Sequence, residues 1–284
     1  MQTKQEIQSL LAQANSHPRH QFGQNFLIDG NLLRLVAAAG NIASSDFVIE
    51  VGPGTGSLTE ELLSTGCQVA AVEIDRDLAA LLRVRLAHKA NFTLIEGDAL
   101  AGKHALNAEM LAVIAQALGG GQAVKLVANL PYNIASPLVI ELLIAGAELL
   151  AFTVQKEVGQ RLKAHVGDDA YGPLSVMAQL LADVELLRTL PPQAFWPMPK
   201  IDSGLVRMSR HDRLGARAGE FSSFVHAVFS YRRKMLRKAI TQAGIPEEAA
   251  DAALAATKLS PKIRPEEIDP QGWLDLYNCI YPDH

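Results

Sequence analysis

The chain has 284 residues, 49% hydrophobic and 20% charged, with 26 Lys and Arg against 30 Asp and Glu for a net charge of −4. That length can bury one sizeable core plus a small satellite domain. The balance excludes a protein that holds nucleic acid through bulk positive charge, and two cysteines without metal or disulfide spacing, Cys67 and Cys279, fit a reducing, cytoplasmic setting. The polar, mixed-charge residues through Gln13 do not read as a signal peptide, and no repeat or low-complexity tract is visible.

In chain order, the first informative run is Val48-Ile49-Glu50-Val51-Gly52-Pro53-Gly54-Thr55-Gly56-Ser57. It predicts a buried strand, a tight glycine turn and a helix start, the setting for a nucleotide-like cofactor. A dinucleotide loop would have its third glycine at position 57, where Ser57 stands, and Pro53 removes an N–H that could face a pyrophosphate. S-adenosylmethionine carries no phosphate and needs room instead, which Gly52, Gly54 and Gly56 supply beside Glu50. Gln68 to Glu73 reads as a second buried strand, with Glu73 placed for ribose hydroxyls. A third strand, 92–95, leads to Gly97-Asp98, with Asp98 placed to accept the cofactor's adenine amino group. The segment from about 101 to 121 predicts an amphipathic helix ended by Gly119-Gly120-Gly121, a surface insertion with no catalytic role.

A fourth strand, 124–128, runs into Asn129-Leu130-Pro131-Tyr132. An exocyclic adenine nitrogen is a poor nucleophile because its lone pair is delocalised into the ring. Acceptors for both its hydrogens, the Asn129 side-chain oxygen and the Leu130 carbonyl, favour pyramidalisation and return that pair to nitrogen. Pro131 fixes the backbone, and Tyr132 offers a stacking platform to a flipped-out base. Together the two motifs point to methyl transfer onto a base amino group, with positioning supplying most of the catalysis. Residues 134–154 are apolar but contain Pro137, Glu141, Gly146 and Glu148, so they predict a helix capped by Ser136 and then a strand, not a membrane span.

Strands near 149–155 and 204–208 complete an α/β pattern. After Arg210 only helices are predicted, 221–243, 247–257 and 265–280, separated by Gly244-Ile245-Pro246 and Ser260-Pro261. Residues 1–210 hold 16 Lys and Arg against 20 acids, and 211–284 hold 10 against 10, so clustering matters more than total charge. On a wheel of the helix around 221–240, Arg233, Lys234, Arg237 and Lys238 fall opposite an apolar stripe and form a phosphate-binding face. Arg232 falls inside the stripe and is expected to pair with an acid or backbone carbonyls between the domains, in a structural role.

The chain resembles the ribosomal RNA adenine N6-dimethyltransferases, and among them the bacterial members that modify 16S rRNA, from about Arg19 to Asp275. Besides the two motifs above, Phe22-Gly23-Gln24-Asn25-Phe26-Leu27 matches the family's N-terminal motif, although Arg19-His20-Gln21 replaces the Lys and Arg cluster that often precedes it. Val154-Gln155-Lys156-Glu157-Val158 with Arg161, Tyr171-Gly172-Pro173-Leu174-Ser175, and Phe195-Trp196-Pro197-Met198-Pro199-Lys200-Ile201-Asp202-Ser203 match later segments, and Arg232-Arg233-Lys234 matches a basic run. The resemblance implies that Gln24, Asn25 and Leu27 contact the methionine end of the cofactor and that Phe195 covers the second face of the target base.

It further implies a class I S-adenosylmethionine-dependent, Rossmann-like α/β methyltransferase domain over 1–210 and a helical RNA-docking domain over 211–284. The implied function is N6 dimethylation of two adjacent adenosines near the 3′ end of 16S rRNA, in a small-subunit (30S) assembly intermediate in the cytoplasm, without metal or membrane. A 23S rRNA adenine methylase conferring macrolide resistance is an alternative, as is a ribosome-assembly factor acting mainly by binding. Leu130 and the run Pro199 to Ser203 lean toward the small-subunit member.

Overall fold

The computed structural model describes residues 2–102 and 105–282. In chain order the elements are α1 (Lys4–Gln13), β1 (Phe26–Leu27), α2 (Gly30–Ala39), β2 (Phe47–Val51), α3 (Ser57–Ser64), β3 (Gln68–Glu73), α4 (Arg76–Arg85) and β4 (Phe92–Glu96). There follow β5 (Leu100–Gly102), β6 (Ala105–Leu106), α5 (Ala108–Gly119), β7 (Val124–Asn129), α6 (Ala135–Ile144), β8 (Leu149–Gln155), α7 (Lys156–Lys163) and α8 (Pro173–Leu181). The chain ends with β9 (Ala182–Leu190), β10 (Phe195–Trp196), β11 (Ser203–Arg210), α9 (Ala218–Phe229), α10 (Leu236–Gln242), α11 (Glu247–Thr257) and α12 (Pro270–Ile280).

By its internal contacts the chain divides into two compact units, residues 1–159 with 184–210, and residues 160–183 with 211–284. The first holds a sheet in the order β4-β3-β2-β7-β8-β11-β9, seven strands among the described residues. From β4 to β8 the pairing is parallel, and β11 closes on β8 antiparallel, Ser203 opposite Gln155. Parallel strands are buried on both faces, which is why β2, β7 and β8 are nearly unbroken apolar runs. Strand order reverses between β2 and β7, and a ligand crevice belongs at the carboxyl ends of strands at such a point.

Polar side chains set the ends of these elements. Asp29 caps α2 by accepting from the N–H groups of Asn31 and Leu32, and Asp75 caps α4 by accepting from Asp77. At the opposite end of the sheet Lys125 is buried against Asp46 at 2.7 Å and donates to the Asn41 carbonyl at 2.6 Å, joining the starts of β2 and β7. In the second unit Trp273 of α12 stacks on Phe229 and meets Phe224 edge-on, and the Tyr171 hydroxyl donates to the Ile268 carbonyl. Among the described residues no helix is long and apolar enough to cross a membrane, and no group of His, Cys, Asp and Glu could hold a metal ion.

Four expectations need correction. The segment 101–121, of which 103 and 104 lie outside the described residues, is not one helix: β5 and β6 pair first, and α5 starts only after Asn107, which caps it. Helix α6 begins at Ala135 with no side-chain cap, and Ser136 lies inside it, because Pro137 is tolerated in a first turn whose N–H groups need no helical partner. The helix expected over 221–243 is broken. Residues 230–235 make a turn, and the Leu236 N–H donates to the Ile263 carbonyl at 2.6 Å instead of continuing the first helix. Finally, 160–183 groups with the C-terminal unit, so the boundary at Arg210 separates only part of what was expected to be one domain.

The buried ion pair gives a direct test of the sheet's base. Asp46→Ala leaves the Lys125 ammonium buried with only a carbonyl for company, so urea denaturation should show a loss of about 3–5 kcal/mol.

Candidate active site

The carboxyl ends of β2, β3 and β7 open into a cavity of about 320 Å³, lined by Phe22 to Leu27, Glu50 to Thr55, Glu73, Asp98 and Asn129 to Ile134, among others. All of these residues belong to the first unit. The site is built from the glycine turn outward. Gly52 and Gly54 have φ of +72° and +61°, a left-handed backbone that side chains rarely adopt. A Cβ on Gly54 would meet the Phe26 ring at 2.8 Å, and one on Gly52 would lie 3.2 Å from Pro131. Gln2 braces the turn from behind: its amide donates to the Thr55 carbonyl at 3.0 Å and its oxygen accepts from the Thr55 hydroxyl at 2.6 Å.

Two buried carboxyls face the cavity. Glu73 is 3% exposed, and its two oxygens accept from the N–H groups of Gly54 (3.0 Å) and Asp75 (2.9 Å). Burial still pushes it up to about 7, helped by the charge of Asp75 and opposed by those main-chain bonds. Glu50 is 1% exposed, and its Oε2 has no hydrogen-bond partner among the described residues. Burial first and the neighbouring Glu73 second raise it to about 8, with Thr59 drawing it back only in part. The Ser57 hydroxyl, also on the cavity wall, is likewise unpartnered among the described residues. Buried polar atoms are normally satisfied, so this pattern marks a place where a ligand supplies the partners.

Asn129 ends β7, and both ends of its carboxamide are held. Its Nδ2 donates to the Asn25 carbonyl at 2.7 Å, and its Oδ1 accepts from the Thr153 hydroxyl at 2.5 Å. Leu130 is buried and its N–H donates to the Thr153 carbonyl at 3.2 Å. The Tyr132 hydroxyl bonds the buried Ser203 Oγ at 2.7 Å, fixing the ring by its far end. Asp98 is exposed and lies on the cavity wall, its Oδ1 taking the Leu100 N–H. The expected residues Asn25, Leu27, Glu50, Gly52, Gly54, Glu73, Asp98, Asn129, Leu130, Pro131 and Tyr132 therefore share one cavity, with Gly56 just behind the turn.

Four expected residues are placed differently. Gln24 lines the cavity, but its amide donates to Asp75 at 3.1 Å and its oxygen accepts from the Arg19 N–H at 2.8 Å, so its side chain braces the wall. Phe195 is 2% exposed and packs in the core with Leu27, Leu33 and Leu190, because β10 pairs with β1 and turns it inward; it offers no free face to a base. Arg237 is held by Asp251 at 2.6 Å and Glu247 at 3.1 Å, and these acids raise its affinity for its proton. Arg233, Lys234 and Lys238 are exposed. So is Arg232, which lies in the turn after α9 and not in an apolar stripe, contrary to the buried pairing expected for it.

Sequence reasoning missed Asp75, Thr153 and Ser203. Asp75 is fully buried and accepts from Arg19 (3.0 Å) and Gln24 while capping α4. Its signal was an aspartate two residues beyond the ribose-placed glutamate. For Thr153 it was a single hydroxyl in the apolar run Leu149 to Val154.

A model of the ribosomal RNA adenine dimethylase family matches residues 15–281. Among curated proteins, the ribosomal RNA small subunit methyltransferase A of Magnetococcus marinus is 43% identical over 239 residues, covering 82% of each chain. That of Deinococcus radiodurans is 40% identical over 267 residues, covering 94% of this chain and 87% of its own. Among solved structures, the 23S rRNA methyltransferase ErmE superposes with a TM-score of 0.63 at 26% identity, covering 90% of this chain and 99% of its own. The α/β sheet is thus the Rossmann-like fold of class I S-adenosylmethionine-dependent methyltransferases.

The two raised acids make stability depend on pH. Unfolded, both titrate near 4.5, whereas folded they hold their protons to about 8 and about 7, so the folded state binds more protons across that window. Their contribution is fully present below about pH 4.5 and is lost as pH rises through about 7 and 8. The melting temperature of the ligand-free protein should fall between about pH 5 and about pH 8.5, and Glu50→Gln should flatten that slope.

Proposed function

The chain belongs to the ribosomal RNA adenine dimethylase family, and on that premise we propose that it transfers methyl groups from S-adenosylmethionine to N6 of adenosine in small-subunit rRNA. The observation that carries this reading is the shared cavity: the held carboxamide of Asn129, Glu73 and the glycine turn line the same one. The small-subunit names of the relatives at 40–43% identity favour it over a 23S target, the name carried by the ErmE structure at 26% identity. The finer target, two adjacent adenosines near the 3′ end of 16S rRNA in a 30S assembly intermediate, belongs to the same proposal.

The residues fit the cofactor. When bound, it supplies an electrophilic methyl group on a sulfonium. Glu73 accepts its ribose hydroxyls, Asp98 accepts its adenine amino group, and Gly52 and Gly54 leave room for its backbone-like end. Two buried carboxyls suit a cationic ligand, and the orphaned Glu50 Oε2 gives its ammonium a partner. Asn129 and the Leu130 carbonyl accept the two N6 hydrogens, which draws the lone pair out of the adenine ring. Tyr132, fixed by Ser203, supports the extruded base. The exposed Arg232, Arg233, Lys234 and Lys238 of the second unit contact phosphates, and Arg237 is spent on its ion pairs.

Mapping methylated adenosines in rRNA from cells with and without this gene tests the target directly: loss of small-subunit sites supports the reading, and loss of a 23S site overturns it. Complementation by Glu73→Ala separates catalysis from binding, since an assembly factor would still complement.

Glu73→Ala should weaken S-adenosylmethionine binding by roughly tenfold or more, at about 1.5–3 kcal/mol per charged hydrogen bond. Because the ionised carboxylate accepts on both oxygens and more strongly than the neutral acid, wild-type affinity should also rise as pH passes upward through about 7, and titration calorimetry reads both effects. Arg233→Ala with Lys234→Ala should flatten the log-salt slope of RNA binding by about one unit per lost phosphate contact, whereas Arg237→Ala should not.

A further inference from the structure

The proposed nucleophile activation rests on Asn129, and its carboxamide can turn end for end with little change of shape, exchanging an acceptor for two donors. Two contacts prevent this. The Asn25 carbonyl can only accept, so the end facing it is the nitrogen, at 2.7 Å. The Thr153 hydroxyl then donates to the oxygen at 2.5 Å. Thr153 lies opposite Asn129 in the parallel register of β7 and β8 and is 0% exposed. Its main-chain oxygen also takes the Leu130 N–H at 3.2 Å. One residue of β8 thus grips both residues that carry the acceptors for N6. Valine would fill the same space on a buried strand, and an unbonded hydroxyl there is unfavourable, so the contact to Asn129 is what gives this hydroxyl a use.

We propose that Thr153 is a positioning residue for methyl transfer: its hydroxyl holds the Asn129 oxygen in place and leaves that oxygen one lone pair for an N6 hydrogen of the target adenine. The inference rests on reading Asn129 as the acceptor. In the step it serves, the N6 lone pair forms the new N–C bond as the C–S bond breaks. The C–S pair stays on sulfur as a neutral thioether, and the surplus N6 proton leaves to water. Thr153 touches none of these atoms and acts only through the carboxamide, fixed before the base arrives.

The test is single-turnover methylation of small-subunit rRNA by the full chain at saturating S-adenosylmethionine. Thr153→Val should lower the rate about tenfold with cofactor affinity and RNA affinity unchanged, and the lost buried hydrogen bond should lower the melting temperature by only a few degrees. Thr153→Ser should recover most of the rate. Asn129→Ala should be slow, and adding Thr153→Val to it should cost nothing more, since the hydroxyl then has nothing to hold. The same fractional loss in both backgrounds would mean that Thr153 acts through packing, and a wild-type rate in Thr153→Val also overturns the proposal. Full rate in Asn129→Ala alone places the fault in the activation reading itself, and the inference falls with it. Should Thr153→Val not fold, Thr153→Ala carries the same comparison.

Discussion

The buried carboxylate of Glu73, taking main-chain hydrogen bonds from Gly54 and Asp75, is the interaction on which the rest of the cavity's geometry depends. Gly54 lies in the turn that gives the site its room. Asp75 caps α4 and receives Arg19 and Gln24, which draws the N-terminal motif across the crevice. Three segments far apart in sequence are thus fixed by one line of acid-centred contacts in a region with little water. Charge-assisted bonds to main-chain donors are strong there, and each lost partner leaves a buried group unsatisfied.

Holding two carboxyls side by side away from water opposes folding, as their raised proton affinities register. A cation entering the cavity turns the same arrangement into attraction, so part of what the empty protein forgoes in stability returns as affinity for a positively charged ligand. Function and fold therefore pull on Glu50 and Glu73 in opposite directions.

The parallel core was legible because strands buried on both faces leave continuous apolar runs: β2, β3, β7 and β8 lie within a residue or two of where the sequence places them. Edge strand β9 was not, because exposed and charged residues interrupt its pattern. The helix expected over 221–243 failed for another reason: its apolar residues keep a helical period through the turn at 230–235, which contains neither Gly nor Pro. Partners brought together by folding were hidden as well. Nothing near Arg237 in sequence announces Asp251, and the turn of β10 that buries Phe195 is set by pairing with β1, far upstream. The reacting face proposed at Asn129 rests on residue types, whereas the contacts that orient its carboxamide come from β8 and from a main-chain carbonyl, which no motif encodes.

Gly52 and Pro131 form a common wall, since even one added methyl on the glycine would press on the proline ring at 3.2 Å. The glycine turn borders the side of the cavity proposed for the cofactor, and Pro131 sits in the segment proposed to meet the base. The turn and the Pro131 segment thus approach more closely than a side chain at position 52 would allow without the proline giving way. Were the proposed cofactor and base to be coupled across this wall, the linkage would be reciprocal: whatever factor one imposed on the affinity of the other would be returned in equal measure.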